Sequence, residues 1–419
     1  MRRAIALLLL CCPLSAMPAE PSDTRSKPPP KTPPAGLTGD WFGAGPDLRE
    51  AGVDLRLEWS QFYQHLGRDD PRNDRRNAYG GKWDALLRLD LSRMGIGEGY
   101  SLTVQGNFNQ GTTLNGQNGS LIPANAAEFF PGIEGSDADD VMALYLQKDF
   151  SSTYSLLAGK LNLVEFARGT PLRGGGGVDT FWNASLATPI TGVSPPTIYG
   201  TQLRINTQPV SYSLTLFDAQ DGSNTKLFEH LFDEGTNLMA TATLKTSVAG
   251  RSGNYGIKGI YSTRRGPDFS QLVESVTSRE PLNEKKGSWY GSLSMQQYLV
   301  QDPLDPKRGW GVFAELARAD GNPNNQRWST YVGLGGNGLL PGRPDDRFGV
   351  AYFRFGVSDD LKDELRSIYP LTDESGIETF YNIAVTPWLR ISLDVQYIRP
   401  ASDDFASSFY TGVGTYVRF

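Results

Sequence analysis

The sequence predicts an all-β fold: a transmembrane antiparallel β-barrel of about 16 strands, with long extracellular loops and short periplasmic turns. Three observations predict it. Apolar and polar residues alternate from Val53 to the final residue, Phe419. The gaps between alternating segments are short and long by turns. Apart from a short N-terminal stretch, no apolar run approaches the ~20 residues that a membrane-spanning helix needs, so any crossing falls to strands.

The first element is an export signal. In MRRAIALLLLCCPLSAMPAE, Arg2 and Arg3 supply a positive start and residues 4–12 a short apolar stretch ending near small residues. Residues 1–19 are therefore expected to be a signal peptide. Cys11 and Cys12, the two cysteines of the chain, lie inside it. The exported part would then have no disulfide scaffold, thiolate metal site or thiol nucleophile. Residues 20–36 follow, with Pro21, Pro28, Pro29, Pro30, Pro33 and Pro34. Such a stretch cannot build a core and reads as an extended periplasmic lead.

Residues 37–419 carry the barrel. In VDLRLEWS, Val53, Leu55, Leu57 and Trp59 are apolar while Asp54, Arg56, Glu58 and Ser60 are polar. A period of two puts the two sets on opposite faces of a strand. The pattern returns with Trp83, Ala85, Leu87, Leu89 and Leu91 against Lys82, Asp84, Arg88 and Asp90, then with Leu102, Val104 and Phe108 against Thr103, Gln105, Asn107 and Asn109. Segments of this kind start near residues 53, 79, 100, 139, 152, 199, 210, 236, 253, 288, 309, 326, 347, 377, 388 and 409. An even number brings the chain back to its starting side. DFSST, QP and TPW are short connections; residues 110–138, 162–198, 218–235, 264–287 and 358–376 are long ones.

A soluble sandwich alternates too, but three features favour the membrane. Trp83, Tyr100, Tyr199, Trp310, Trp328, Trp388 and Tyr397 gather near strand ends, as interface girdles do. The apolar faces run for about nine to eleven residues, enough for a tilted strand to cross. The last strand, FYTGVGTYVRF, places Val413, Thr415, Val417 and Phe419 on one face. That ending resembles the C-terminal signal read by the barrel-assembly machinery. The 47 glycines, hydrophobic share of 39%, aromatic share of 11% and formal charge of -6 suit strands, turns and a wet interior rather than a nucleic-acid binder.

Enzymatic signals are thin. His65 and His230 are the only histidines, with no ligand-spaced partner, and read as loop-end residues. There is no Gly-x-Ser-x-Gly elbow, phosphate loop or dinucleotide turn. Asp137, Asp139 and Asp140 read as a solvated acidic turn before a calcium loop. No cofactor and no metal is expected.

Five stretches resemble the carbohydrate-selective porins of the outer-membrane protein B family: LTGDWFGAGPDLREAGVDLRLEW (37–59), GKLNLVEFARG (159–169), FAELARADGNPNN (313–325), GLLPGRPDDRFGVAYFRFGVS (338–358) and TPWLRISLDVQYIRP (386–400). The resemblance implies a sixteen-stranded barrel in the bacterial outer membrane, a monomer or homotrimer surrounded by lipid, through which mono- or oligosaccharides diffuse into the periplasm. A general diffusion porin with little solute preference is the alternative. In general porins of this size the third long loop folds into the lumen, so by analogy residues 162–198 form the constriction. Glu165, Arg168, Arg173, Asp179, Trp182 and Asn183 are its candidate sugar-facing groups, and Gly174 to Gly177 permit a strained path. Facing them, the inward strand positions supply Arg56, Glu58, Arg88, Asp90 and Arg204. Mixed signs would hold a transverse field across the pore and favour neutral polar solutes.

Overall fold

A computed structural model describes residues 36–128, 141–188, 190–222, 227–274 and 281–419. The expected signal peptide, almost all of the proline-rich lead and the acidic turn at Asp137–Asp140 lie outside the described residues. Strands β1 (Val53–Leu66), β2 (Asn77–Asp90), β3 (Tyr100–Gly111), β4 (Val141–Asp149), β5 (Tyr154–Asn162), β6 (Thr197–Ile205), β7 (Val210–Asp218) and β8 (Thr236–Val248) form the first half. The second half consists of β9 (Arg251–Pro267), β10 (Glu284–Gln301), β11 (Gly309–Ala319), β12 (Gln326–Asn337), β13 (Arg347–Val357), β14 (Glu374–Ala384), β15 (Leu389–Arg399) and β16 (Ser408–Arg418). Every strand pairs antiparallel with its chain neighbours, and β1 pairs with β16 from Glu58 opposite Arg418 to Leu66 opposite Tyr410. The sheet is a closed barrel of 16 strands, which leaves no edge with unpaired backbone groups. Strand starts lie within four residues of those the alternation predicts.

The alternation also decides which face is which. Tyr63, Tyr79, Phe108, Leu214, Leu238, Ile257, Leu293, Leu316, Val332, Ile377, Leu393 and Val413 all stand exposed on the outside. Exposed apolar residues on so many strands form a belt that water would not support and hydrocarbon would. Trp59 lies against Trp83 (5.9 Å between ring centres) and Trp83 against Phe419 (5.5 Å), giving aromatic packing near the rim that carries both described chain ends. Tyr397 and Phe409 pair at 4.9 Å toward the opposite rim. Tyr199 departs from the girdle expectation: it is only 3% exposed and packs on Phe228.

The rim with the chain ends carries the short turns, at residues 150–153, 206–209, 249–250 and 385–388. Of its longer turns, at residues 91–99, 302–308 and 338–346, the last is held by the PGRPDD stretch. Arg343 pairs with Asp346 at 2.7 Å, and the same carboxylate accepts from the Tyr381 hydroxyl (2.8 Å) and the Ala384 N–H (2.9 Å). The helix Gly45–Glu50 leads into β1 at this rim, and Leu37 N–H donates to the Arg418 carbonyl at 2.8 Å.

One expectation about the interior needs correction. The alternation predicts inward faces that are polar throughout, yet in β13 Ala351, Phe353 and Phe355 point in and are buried, while Arg354 points out and is exposed. The reason is that two long loops fold inside and need apolar partners. Leu114, Leu172, Phe181 and Leu186 from those loops pack with Phe313, Phe353, Phe380 and Tyr410 from the wall. The barrel therefore contains a protein core along one side, and a smaller one on the other, where Leu161, Ile198, Phe217, Met239, Ile260 and Tyr290 pack with Leu163, Phe166 and Val193.

Candidate functional site

The loop between β5 and β6, residues 163–196, builds the site from its first residue. Asn162 ends β5 and caps the helix Leu163–Ala167, its side-chain oxygen accepting from Val164 N–H (3.0 Å) and Glu165 N–H (3.3 Å). A side-chain acceptor here satisfies two of the donors that a helix start leaves free. The helix aims Glu165 and Arg168 at β1. Glu165 accepts from Arg56 at 2.6 Å, and Arg168 pairs with Glu58 at 2.6 Å. Arg56 also lies 3.6 Å from Glu58 and 3.8 Å from Asp84, and the Tyr416 hydroxyl donates to Glu58. Glu165 and Arg168 are 3.7 Å apart. Two arginines and three carboxylates, supplied by two strands and the loop, thus interlock.

Beyond Arg168 the loop crosses the barrel. Leu172 N–H donates to the Gln296 side chain on β10 at 3.1 Å. The chain then runs through Gly174, Gly175, Gly176 and Gly177, all at positive φ, which side chains other than glycine rarely adopt. Asp179 pairs with Arg347 at the start of β13 (3.3 Å). Burial would raise the Asp179 carboxyl, but Arg347, Arg168 and Arg390 hold it below the usual carboxylate range. On the far side the loop is pinned to β14, where the backbone N–H groups of Trp182 and Asn183 both donate to Glu378, the latter at 3.0 Å. Asn183 also donates to Gln396 (3.2 Å) and caps the helix Ala184–Ala187. The Trp182 ring is fully buried, edge-on to Phe62 at 5.2 Å. It lies over Gly412 and Gly414, where a Cβ would collide with the indole.

The structure therefore brings Arg56, Glu58, Glu165 and Arg168 into one cluster. Arg204 lies nearby, its guanidinium 4.6 Å from the centre of the Phe166 ring and donating to Gln202 at 2.6 Å. Other sequence candidates lie elsewhere. Trp182 and Asn183 are fully buried anchors, not groups facing a solute. Arg173 donates to the Leu186 carbonyl within the loop, its guanidinium 5.5 Å from the Tyr331 ring centre. Arg88 is exposed opposite Asp54 near the short-turn rim. Asp90 ends β2 and accepts from Ser92 N–H (3.1 Å) and Arg93 N–H (3.2 Å), fastening a turn. Both Arg88 and Asp90 do point inward, nearer the short-turn rim than Arg56 and Glu58.

Sequence reasoning missed the opposite wall. A cavity of about 370 Å³ lies between Phe166, Arg168 and Pro171 of the loop and Thr243, Lys245, Asn254, Ser294 and Gln296 of β8–β10. A second, of about 330 Å³, lies toward the long-loop rim and is lined by both inner loops and by Met239, Lys258 and Ile260. On β9 the inward residues Asn254, Gly256, Lys258 and Ile260 climb from the first cavity to the second, so Lys258 stands at their junction. Its ammonium is 5.4 Å from the Tyr290 ring centre, and Tyr290 donates to Glu315 at 3.2 Å. The missed signal was Lys258 itself, a cation on the inward set of a long strand between outward Ile257 and Gly259. Glu374 and Glu378, four residues apart on β14, were also overlooked; Glu374 receives the N–H groups of Leu121 (2.7 Å) and Ile122 (3.1 Å) and so pins the other inner loop. Among the described residues no group of His, Cys, Asp and Glu is arranged to hold a metal.

Comparison with known proteins agrees with this architecture. Residues 74–419 match the family model described as carbohydrate-selective porin, OprB family. The chain belongs to that family. Porin B of Pseudomonas aeruginosa is 28% identical over 165 residues, which covers 35% of this chain and 36% of Porin B; the match thus spans about a third of that relative's length. The high-pH structure of Pseudomonas putida OprB superposes with a TM-score of 0.78 at 18% identity, covering 93% of this chain and 99% of the other. The outer membrane channel DcaP of Acinetobacter baumannii shares the fold at a TM-score of 0.51 and 12% identity, covering 88% and 97%. Family and fold are those of channel proteins of the bacterial outer membrane, not of enzymes.

Proposed function

We propose that this barrel is a passive outer-membrane channel through which mono- or oligosaccharides diffuse into the periplasm, passing between the inner loop 163–196 and the β8–β11 wall. The observation that carries the reading is the loop itself: it is tied to β1 by Arg56–Glu165 and Arg168–Glu58, reaches β10 at Gln296, and borders an open cavity of about 370 Å³ against β8–β10. That remaining wall offers what a sugar can use. Hydroxyl and amide groups of Thr243, Asn254, Ser294 and Gln296 match sugar hydroxyls, and Phe166 offers a ring to C–H faces. None of these groups forms a deep enclosing site. Weak binding of about 4 kcal/mol, a millimolar affinity, concentrates a solute without trapping it.

Of the sequence candidates, Arg56, Glu58, Glu165, Arg168 and Arg204 remain the proposed constriction charges. Arg173, Asp179, Trp182 and Asn183 hold the loop in place. Outer-membrane lipid around the apolar belt, the barrel-assembly machinery acting on β16 and Phe419, and a homotrimer are the further partners we propose. A three-fold species on cross-linking in native membranes supports the trimer; only monomer would remove it.

Liposome swelling with sugars and amino acids of matched size tests the main reading. Faster entry of sugars than of amino acids of equal size is expected. Rates set by size alone for every solute would replace it with a general diffusion porin.

A further inference from the structure

The cavity toward the long-loop rim is a poor match for a sugar. Most of its lining is aliphatic or aromatic: Ile122, Leu163, Ile190, Met239, Ile260 and Phe355 are among the nineteen residues around it. The polar side chains of the lining are Thr188, Thr191, Ser194, Asn325 and a single charged group, Lys258. A neutral sugar entering here would surrender water from its hydroxyls to surfaces that return few hydrogen bonds, a cost of roughly 1–3 kcal/mol for each group left unpaired. The cavity volume, about 330 Å³, is at the small end of sites that enclose small molecules.

Lys258 gives the cavity a sign. Among the described residues its ammonium makes no hydrogen bond and no ion pair; it lies over the face of Tyr290. The carboxylate on this wall, Glu315, attracts Lys258 without pairing with it directly, and accepts from the Tyr290 hydroxyl. Arg173, the other cation on this side of the loop, is spent on the Leu186 carbonyl. The cavity thus has an apolar body ending in one cation without a directly bonded partner among the described residues, at the junction with the lower, polar cavity.

We infer that this vestibule is a binding site for small organic monoanions with an apolar body, such as aromatic or short aliphatic carboxylates, the carboxylate seated on Lys258 and the body against Ile122, Met239, Ile260 and Phe355. This goes beyond carbohydrate diffusion and does not depend on it. Both halves of the ligand are required. A bare anion would gain the charge without the burial, and an uncharged ring would gain burial without an anchor.

The full barrel, reconstituted in planar bilayers, tests the inference with benzoate as probe and acetate and benzyl alcohol as controls. Benzoate is expected to reduce the open-channel current saturably in the millimolar range, with acetate and benzyl alcohol giving no saturable reduction. Lys258→Gln should raise the half-blocking benzoate concentration about tenfold, Lys258→Arg should retain most of the block, and Ile260→Asn should weaken it several-fold with the cation intact. The contrast among the three probes needs no variant, so it decides for or against the site even where a substituted barrel misfolds. Equal block by acetate and benzoate, or an unchanged half-blocking concentration in folded Lys258→Gln, would overturn the site. Neither result bears on the swelling assay with sugars, so the two readings fail independently.

Discussion

The two sides of the barrel interior are built on different principles. Along β13–β16 and β1 the wall is a protein core, with Phe353, Phe380, Tyr410 and Phe62 packed on Phe181, Leu186 and Trp182 of the inner loop, and with Glu374 and Glu378 each receiving backbone N–H groups of a loop. Along β8–β10 the lower part of the wall is wet, with Thr243, Lys245, Asn254, Ser294 and Gln296 facing an open cavity, and only toward the long-loop rim do Ile198, Phe217, Met239, Ile260 and Tyr290 form a second, smaller apolar cluster. The difference teaches how a pore of fixed width is made from a wide cylinder. One side is filled and locked so that the other can stay open without the filler moving.

The largest effects should come from the locked side. Trp182→Ala removes a fully buried indole and its packing on Phe62, a loss of about 3–5 kcal/mol for such truncations. The heat-resistant folded band on a gel should weaken markedly, and single-channel conductance should rise as the loop loosens. Glu378→Ala should act in the same direction, because two buried N–H donors lose their acceptor, each costing about 1–3 kcal/mol.

Next in size is the charged hinge between loop and β1. Arg168→Ala leaves Glu58 facing only Arg56 and the Tyr416 hydroxyl. Removing one partner of a buried pair costs up to about 3–5 kcal/mol, less here because water reaches the lumen. Sugar flux should therefore change several-fold while the heat-resistant band persists. A larger loss of folded barrel than of flux would move Arg168 from the pore to the core.

How much of this was legible in the sequence follows from what a period of two can report. It gives the face of each residue, so the inward direction of Arg56, Glu58 and Arg204 and the sixteen strands were readable. Height along the barrel and position around it come from register between strands, which alone shows that Arg88 and Asp90 lie nearer the short-turn rim than Arg56 and Glu58. Trp182 read as a sugar-facing group because an aromatic in a loop carries no mark of the glycines, Gly412 and Gly414, that receive it more than 200 residues later. Glu374 and Glu378 sat among other inward polar groups with nothing to announce that loops would dock on them.

A smaller, pH-dependent effect separates the two inner loops. Burial pushes the carboxyl of Glu128 up to about 8, against the pull of Thr113 and Lys82, whereas Asp179 is held low. A raised folded value means that the protonated form is favoured in the fold. The stability this lends is full below the ordinary value of 4.5 and is lost progressively from there as pH rises through about 8. Asp179 behaves oppositely, its contribution present at neutral pH and lost only below the ordinary carboxylate range. Current noise from the loop holding Glu128 should thus increase as pH rises from about 5 to 8 and level off above, and Glu128→Gln should flatten that rise; noise that instead grows on acidification would reverse the assignment. Smallest of all is Arg88→Ala, an exposed position expected to stay within about 0.5 kcal/mol of the parent in stability and to leave sugar flux unchanged.

The central claim is that solute passes only along the wet side, between Arg168 and β8. With Cys11 and Cys12 the only cysteines and both in the expected signal peptide, a single Thr243→Cys can be labelled with a bulky thiol reagent while glucose influx into liposomes is followed. Labelling should cut glucose influx by most of its value, and the same label at outward-facing Ala85→Cys should leave it unaffected. Undiminished influx through the fully labelled Thr243→Cys barrel would contradict the account.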